Sequence, residues 1–196
     1  SDGICALEAG ADWLGFIRWP NSGRFIKQDD CRSVLSAIRE ADVGSFQAVG
    51  VYVDASADEI EDDAQAIGLD RIQLHGEEPP EMARRLSLPV IKALRIRNEA
   101  TLKLADRYVG MDLLADTYDP ALPGGTGRSW DYGMLRDLVG RRNVIIAGGL
   151  TVENVAGVVR ALRPFGVDVS SAVENAPGVK DPDSIRNFIK AVRGVR

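Results

Sequence analysis

The alternation of short apolar runs with longer amphipathic stretches is the feature that most constrains the fold of this chain. Each apolar run, rich in Val, Ile and Leu, has the length of one β-strand, and the stretches between them have the spacing of helices with one apolar face. This pattern is typical of strand-helix units repeated around a parallel sheet. The predicted strands lie at 13–17, 46–53, 71–75, 89–94, 111–116, 143–148 and 167–171.

Helices are predicted between these strands and after the last of them. Their expected positions are about 28–40, 57–67, 80–87, 98–106, 132–139, 152–162 and 182–193. Residue types that favour helix boundaries flank three of them. These are Ser56, Thr151 with Asn154, and Asp181 or Asp183 at starts, and Gly68 at an end.

The segment "GICALEAGAD" before the first predicted strand reads as the end of a helix that stops near Gly10. Seven strands preceded by a helix fragment predict a single-domain (β/α)8 TIM barrel over residues 1–196. The first β-strand of that barrel is then missing from this sequence. An open doubly wound sheet is the alternative that the pattern leaves open.

Composition narrows the function classes. The formal net charge is -5 and the pI is about 5.0, and Lys and Arg are scattered, so no nucleic-acid or anionic-membrane surface is indicated. Without an apolar run of about 18 residues or a signal peptide, we expect a cytoplasmic protein. Cys5, Cys31 and the single histidine lack metal-type spacing, so neither a zinc site nor a disulfide is predicted.

In parallel barrels, the carboxyl ends of the strands and the loops that follow them form the active site. That rule selects a small set of candidates. They are Arg18, the loop "WPNSGRF" with Arg24, Asp54, His75-Gly76, Arg95, Asp116, the loop "LPGGTGR" with Asp131 beyond it, Gly148-Gly149 and Ser170-Ser171.

Gly148-Gly149 and Ser170-Ser171 follow the last two predicted strands. Many barrels bind phosphate there through backbone N–H groups, and glycine lets the backbone approach an anion closely. A tight turn is the alternative for the glycine pair. The spacing of the two motifs favours a phosphate site.

Each of the other candidates has a functional interpretation and a purely structural one. Asp131 could be a general acid beneath a loop that excludes water, or a helix-capping aspartate. His75 could bind substrate or be a hydrogen-bonded scaffold residue at a strand end. Arg24 could meet a substrate carboxylate bidentately or be solvated.

Together these motifs resemble the phosphoribosylanthranilate isomerase family. The matching stretches run in order along the whole chain, and "LHG", "GGTG" and "GVDVSS.VE" distinguish the family from its barrel relatives. They are "EAGADWLGFI", "SGRFI", "VGVYVDAS", "IQLHGEE", "LPVIKALRI", "PGGTGRSWDY", "AGGLTVENV", "RPFGVDVSSAVE" and "PGVKDPDSI".

The resemblance implies an Amadori rearrangement of N-(5-phosphoribosyl)anthranilate in tryptophan biosynthesis. That reaction needs an acid and a base, with neither a metal nor an organic cofactor. The expected partner is a small phosphorylated substrate, and a monomer or a homodimer is equally compatible with the sequence.

Carried over by motif, Asp131 matches the family's general acid, and Arg24 the arginine that holds the anthranilate carboxylate. Asp168 matches an aspartate that contacts the sugar. The phosphate is expected against Gly148, Gly149, Ser170 and Ser171, with 122–128 closing over the substrate.

Two departures from the family pattern stand out. The family's base is a cysteine in a Lys-Ile-Cys-Gly strand, whereas Cys5 precedes Ala6 and lies within the expected helix, and Cys31 matches no catalytic position. Ala172 also stands where the family usually has glycine. If that position requires a positive φ, alanine adds strain of order 1 kcal/mol and weakens phosphate binding.

Two other functions remain open. A dual-substrate sugar-phosphate isomerase of the same fold resembles a two-fold repeat with a second aspartate on strand five, which "VIKALRI" lacks. A non-catalytic phosphate-binding barrel without the base is the second alternative.

Overall fold

The fold is taken from a computed structural model, which describes residues 2–116 and 132–195. The predicted general acid Asp131 and the stretch 122–128 lie outside the described residues. The strands of the main sheet are β1 (Trp13–Ile17), β2 (Gln47–Tyr52), β3 (Arg71–Leu74), β4 (Val90–Arg95), β5 (Asp112–Asp116), β6 (Val144–Ala147) and β7 (Gly166–Val167). The helices are α1 (Asp2–Ala9), α2 (Gln28–Glu40), α3 (Ala57–Ile67), α4 (Pro80–Ala83), α5 (Glu99–Leu102), α6 (Arg136–Arg141), α7 (Val152–Leu162) and α8 (Pro182–Arg193).

The main sheet is parallel throughout, and its strand order is β1-β2-β3-β4-β5-β6-β7. Neighbours in the chain are therefore neighbours in the sheet. A doubly wound sheet reverses its strand order at a switch point, and no reversal occurs here. The order is that of a (β/α)8 barrel, which confirms the predicted fold class.

The two ends of the sheet approach each other. The Trp13 ring of β1 lies 5.9 Å from the Phe165 ring, which directly precedes β7. Helix α1 packs against α8, and Arg193 Nη2 lies 2.9 Å from Asp12 Oδ2. The sheet is therefore curled, with its first and last elements in contact.

The apolar core has two layers. One lies inside the curled sheet and collects inward side chains, against which Trp13 packs. The other lies between the sheet and the helices and is the larger. The inner layer consists of Val49, Ile91, Ala93, Leu114, Ile145 and Ala147.

Several predicted helix boundaries are confirmed. Ser56 and Glu59 form a reciprocal capping box at the start of α3, and Gly68 ends that helix at φ 80°. Asp181 caps α8 through the N–H groups of Asp183 and Ser184. Among residues 2–116 and 132–195, no helix has the length and apolar content needed to cross a bilayer.

Other boundaries were predicted wrongly. The strand expected at 167–171 is only Gly166–Val167, and a 3-10 turn follows at Ser171–Val173. The helix expected at 80–87 is limited to Pro80–Ala83. The single helix expected at 98–106 is instead the short α5 followed by a 3-10 helix at Lys103–Arg107.

A small antiparallel hairpin was not predicted. It pairs β8 (Glu174–Ala176) with β9 (Val179–Lys180) and lies between the end of the sheet and α8. The hairpin brings Glu174 opposite Lys180. Both side chains belong to the site described next.

Candidate functional site

The predicted site residues of the described chain gather at one rim of the sheet. His75 follows β3, Gly148-Gly149 follow β6, and Asp168 and Ser170 follow β7. All strands are parallel, so their carboxyl ends meet at the same rim. Side-chain contacts connect the loops that follow the different strands.

Arg24, in the loop after β1, forms a bidentate ion pair with Glu174. Its Nε lies 2.8 Å from Oε1, and its Nη2 lies 2.6 Å from Oε2. The Glu174 side chain is only 4% exposed, whereas that of Arg24 is 33% exposed. Hydrogen bonds from Arg24, opposed in part by burial and assisted by Lys180, lower the pKa of Glu174 to about 2.

Lys180 joins the same carboxylate to the turn after β7. Its Nζ lies 2.9 Å from Glu174 Oε1 and donates to the Ser170 carbonyl oxygen at 2.9 Å. Ser170 Oγ lies 3.4 Å from the same nitrogen. Arg24 and the serine turn are therefore linked through one carboxylate.

His75 is held by two polar neighbours. The Gln73 amide nitrogen lies 3.1 Å from Nδ1, and Asp116 Oδ2 lies 3.4 Å from Nε2. Because an amide nitrogen only donates, Nδ1 accepts, and the neutral ring carries its proton on Nε2, facing Asp116. The ring is 25% exposed.

Asp168 shares the mouth of the barrel with His75, Asp116 and Lys180. Asp168 as a residue is exposed, whereas its carboxyl group is desolvated by the groups packed around it. This burial raises the pKa of Asp168; the charges of His75 and Lys180 lower it, and that of Asp116 raises it further. The net effect is a pKa above the ordinary value for an aspartate.

The glycine pair after β6 adopts a conformation that favours glycine. Gly148 has φ 77° and Gly149 has φ 66°. The carbonyl oxygens of both are engaged: Tyr132 Oη donates to Gly148 at 3.0 Å, and Asn154 Nδ2 donates to Gly149 at 2.8 Å. This turn leads directly into α7, whose N-cap is the predicted Thr151.

The turn after β7 is accessible. Ser170 and Ser171 are exposed, and Ala172 lies within the 3-10 turn Ser171–Val173. Ala172 is not among the described non-glycine residues with positive φ. Because φ is not positive there, alanine at position 172 adds no backbone strain.

A buried network supports the loop that carries His75. Glu78 Oε1 accepts the N–H groups of Asp54, at 2.9 Å, and Gly76, at 3.1 Å. Lys92 Nζ lies 2.7 Å from Glu78 Oε2 and 2.6 Å from the Gly76 carbonyl oxygen. A Cβ on Gly76 would lie 2.1 Å from Asp54 Oδ1, so this close approach requires glycine.

Some candidates from the sequence have structural contacts outside this cluster. Arg18 forms a bidentate pair with Asp63 of α3, at 2.7 and 2.8 Å. Cys31 is fully buried on α2, and burial raises the pKa of its thiol to about 11. Cys5 lies on α1, within the helix that the sequence predicted there, and is buried. Neither thiol belongs to the rim.

The chemical groups at the rim are of the kind that binds anions. Within the described ranges, no group of three or more His, Cys, Asp and Glu side chains has the arrangement of a metal site. Arg24 offers a guanidinium, and the two turns offer backbone and hydroxyl groups. Such a set suits a ligand with a negative group at each end.

Sequence reasoning missed Glu174 and Lys180. Glu174 lies in "VSSAVE" and Lys180 in "PGVKD", and neither has a predicted role. A buried carboxylate that pairs with a residue 150 positions away gives no local signal. The charged positions near the serine motif were the available hint.

The sequence profile of the "N-(5'phosphoribosyl)anthranilate (PRA) isomerase" family matches residues 2–191. The N-(5'-phosphoribosyl)anthranilate isomerase of Myxococcus xanthus is 41% identical over 199 residues, covering 100% of this chain and 92% of the relative. That of Pelobacter propionicus is 37% identical over 195 residues, covering 100% and 91%.

A solved structure of the Thermotoga maritima phosphoribosyl anthranilate isomerase superposes with a TM-score of 0.89 at 39% identity, covering 98% of this chain and 93% of that one. Another solved isomerase, 36% identical with a TM-score of 0.86, covers 98% and 93% and holds reduced 1-(o-carboxyphenylamino)-1-deoxyribulose 5-phosphate. With the profile match over nearly the whole chain, these likenesses show that the chain belongs to the N-(5'-phosphoribosyl)anthranilate isomerase family.

Proposed function

We propose that this protein converts N-(5-phosphoribosyl)anthranilate into 1-(2-carboxyphenylamino)-1-deoxyribulose 5-phosphate in tryptophan biosynthesis. The observation that carries the proposal is the linkage of Arg24 to the Ser170 turn through Glu174 and Lys180. This linkage supports the assignment of Arg24 to the substrate carboxylate and of the Ser170 turn to the phosphate. The substrate has a carboxylate at one end and a phosphate at the other.

The reaction is an intramolecular redox isomerisation by general acid and base. Proton donation to the furanose ring oxygen breaks the bond between that oxygen and C1, and the amine lone pair forms a Schiff base. Loss of the C2 proton to a base gives an enolamine, which tautomerises to the ketone. C1 is reduced and C2 is oxidised, so no external electron acceptor is required.

Each predicted residue takes one role in this scheme. Arg24 binds the anthranilate carboxylate, Asp168 contacts the sugar, His75 contacts the substrate, and Asp131 donates the proton to the ring oxygen. The phosphate binds to the turns formed by Gly148, Gly149, Ser170 and Ser171. The family resemblance assigns the base to a cysteine of a Lys-Ile-Cys-Gly strand, a role for which Cys5 and Cys31 are poorly placed on helices α1 and α2.

Asp131→Asn tests the acid assignment. Loss of the general acid is expected to lower kcat by about 10²- to 10⁴-fold. Binding of reduced 1-(o-carboxyphenylamino)-1-deoxyribulose 5-phosphate should be nearly unchanged, because the amide keeps the shape of the side chain. Turnover is followed by the loss of phosphoribosylanthranilate fluorescence, and binding by calorimetry.

Asp137→Asn is the matched control, because Asp137 is exposed in the first turn of α6. It should leave both measurements unchanged. Wild-type turnover in Asp131→Asn would rule out the acid assignment. Tight binding of the analogue by a wild-type protein that never turns over substrate would favour the non-catalytic barrel. We further expect a cytoplasmic monomer or homodimer, which fractionation and sedimentation measurements test.

A further inference from the structure

We propose that Glu174 is a positioning residue for the reaction proposed above, on which this inference rests. Glu174 holds Arg24 by one edge and Lys180 against the Ser170 turn, and so fixes the separation of the carboxylate and phosphate sites before substrate binds. Glu174 itself contacts neither end of the substrate in this scheme. It acts through its two cationic neighbours.

The geometry of the guanidinium supports this role. A guanidinium presents two bidentate edges, one formed by Nε with Nη2 and one by Nη1 with Nη2. Glu174 occupies the first edge of Arg24, with Nε at 2.8 Å and Nη2 at 2.6 Å from its oxygens. Within the described part of the chain, Nη1 makes no hydrogen bond. The second edge is therefore left for another carboxylate.

The net charge of Arg24, Glu174 and Lys180 also supports the positioning role. Glu174 accepts from two cations, Arg24 and Lys180, so the three side chains together keep one positive charge. A carboxylate that stays ionised at neutral pH orients both cations without cancelling their attraction for an anionic ligand. Its side chain is 4% exposed, so solvent competes little for either contact.

The hairpin explains how the two sites stay in register. Glu174 and Lys180 are directly paired across β8 and β9. Lys180 also donates to the Ser170 carbonyl oxygen at 2.9 Å. A displacement of Glu174 would therefore disturb Arg24 and the serine turn together. Without Glu174, nothing in this cluster would connect Arg24, in the loop after β1, to the serine turn after β7, at the other edge of the sheet.

Glu174→Gln is the decisive substitution, because it keeps the shape and removes the charge. Binding of reduced 1-(o-carboxyphenylamino)-1-deoxyribulose 5-phosphate should weaken by about 10- to 100-fold, the usual range for residues that orient a binding group. The KM for phosphoribosylanthranilate should rise by a similar factor, with a much smaller change in kcat. Glu81→Gln is the matched control, because Glu81 is an exposed glutamate on α4, with a side chain 76% exposed.

A double-mutant cycle separates positioning from a general structural role. In an Arg24→Met background, Glu174→Gln should weaken binding of the analogue clearly less than in the wild type, because the part of its effect that passes through Arg24 is already lost. Equal losses in both backgrounds would overturn the inference, as would wild-type binding by the single variant. If Glu174→Gln does not fold, as judged by circular dichroism, Glu174→Asp carries the same cycle.

The two proposals fail in different ways. If the wild-type protein neither binds the analogue nor turns over phosphoribosylanthranilate, the proposed function is wrong and this inference falls with it. If the wild-type protein does both and Glu174→Gln behaves like it, only the positioning role is wrong.

Discussion

Lys92 and Glu78 form a buried ion pair behind the loop that carries His75. Lys92 Nζ lies 2.7 Å from Glu78 Oε2, and each side chain is 2% exposed. The Glu78 carboxylate also accepts the backbone N–H groups of Asp54 and Gly76. Both partners are therefore satisfied, and the loops after β2 and β3 are joined through one carboxylate.

Glu78→Gln should destabilise the protein by about 3–5 kcal/mol, because it leaves the Lys92 ammonium buried without a counter-charge. Urea denaturation measures the free energy of unfolding. Asp183→Asn is the matched control, since it removes an exposed pair with Arg186 of similar length, 3.0 Å, and should cost no more than about 1 kcal/mol. Equal losses of unfolding free energy in the two variants would show that burial does not increase the contribution of the Lys92–Glu78 pair to stability.

The parts of the fold that depend on local pattern were predictable. Strand cores follow from runs of Val, Ile and Leu, and Ser56 and Gly68 bound α3 because capping chemistry is local. The short hairpin at Glu174–Ala176 and Val179–Lys180 has too few apolar residues to give a strand signal. The overlong strand prediction arose because the alternation in "VDVSS" continues past the last ladder contact, from Asp168 N–H to Ile146.

The site was predictable only in part. The rule that sites form at the carboxyl ends of parallel strands selected Arg24, His75 and Ser170 from position alone. It could not distinguish Arg18, which follows β1 but pairs with Asp63 of α3. The partner of Arg24 was also hidden, because Glu174 reaches it only after the ends of the sheet meet.

Acid should destabilise the protein partly through Glu174. Its pKa falls from an ordinary 4.5 to about 2 in the fold. A lowered pKa gives stability that is present above about pH 4.5 and lost as the pH falls toward 2, by at most about 3 kcal/mol. The difference in unfolding free energy between wild type and Glu174→Gln should therefore shrink over that interval and stay flat above it. Urea denaturation at pH 2.5 to 7 tests this, and a constant difference would contradict the pairing.

Neither cysteine of this chain should be the catalytic base. Cys31→Ala and Cys5→Ala are each expected to keep kcat within about threefold, because both thiols are buried on helices and lie outside the rim. Burial that raises the pKa of Cys31 to about 11 also predicts slow labelling by thiol reagents at pH 8. A loss of 100-fold or more in kcat for Cys5→Ala would instead identify Cys5 as the base.

Ala172→Gly should bring no gain in phosphate binding. Ala172 lies in a 3-10 turn without positive φ, so there is no strain for glycine to relieve. Glycine should instead cost about 0.5–1 kcal/mol of stability through its greater freedom in the unfolded chain. Gly149→Ala is the contrasting change, because φ there is 66° and a side chain adds strain. Inhibition of turnover by inorganic phosphate reports on the site: we expect it to be unchanged in Ala172→Gly and weakened in Gly149→Ala. Tighter inhibition in Ala172→Gly would show that the turn changes conformation when phosphate binds.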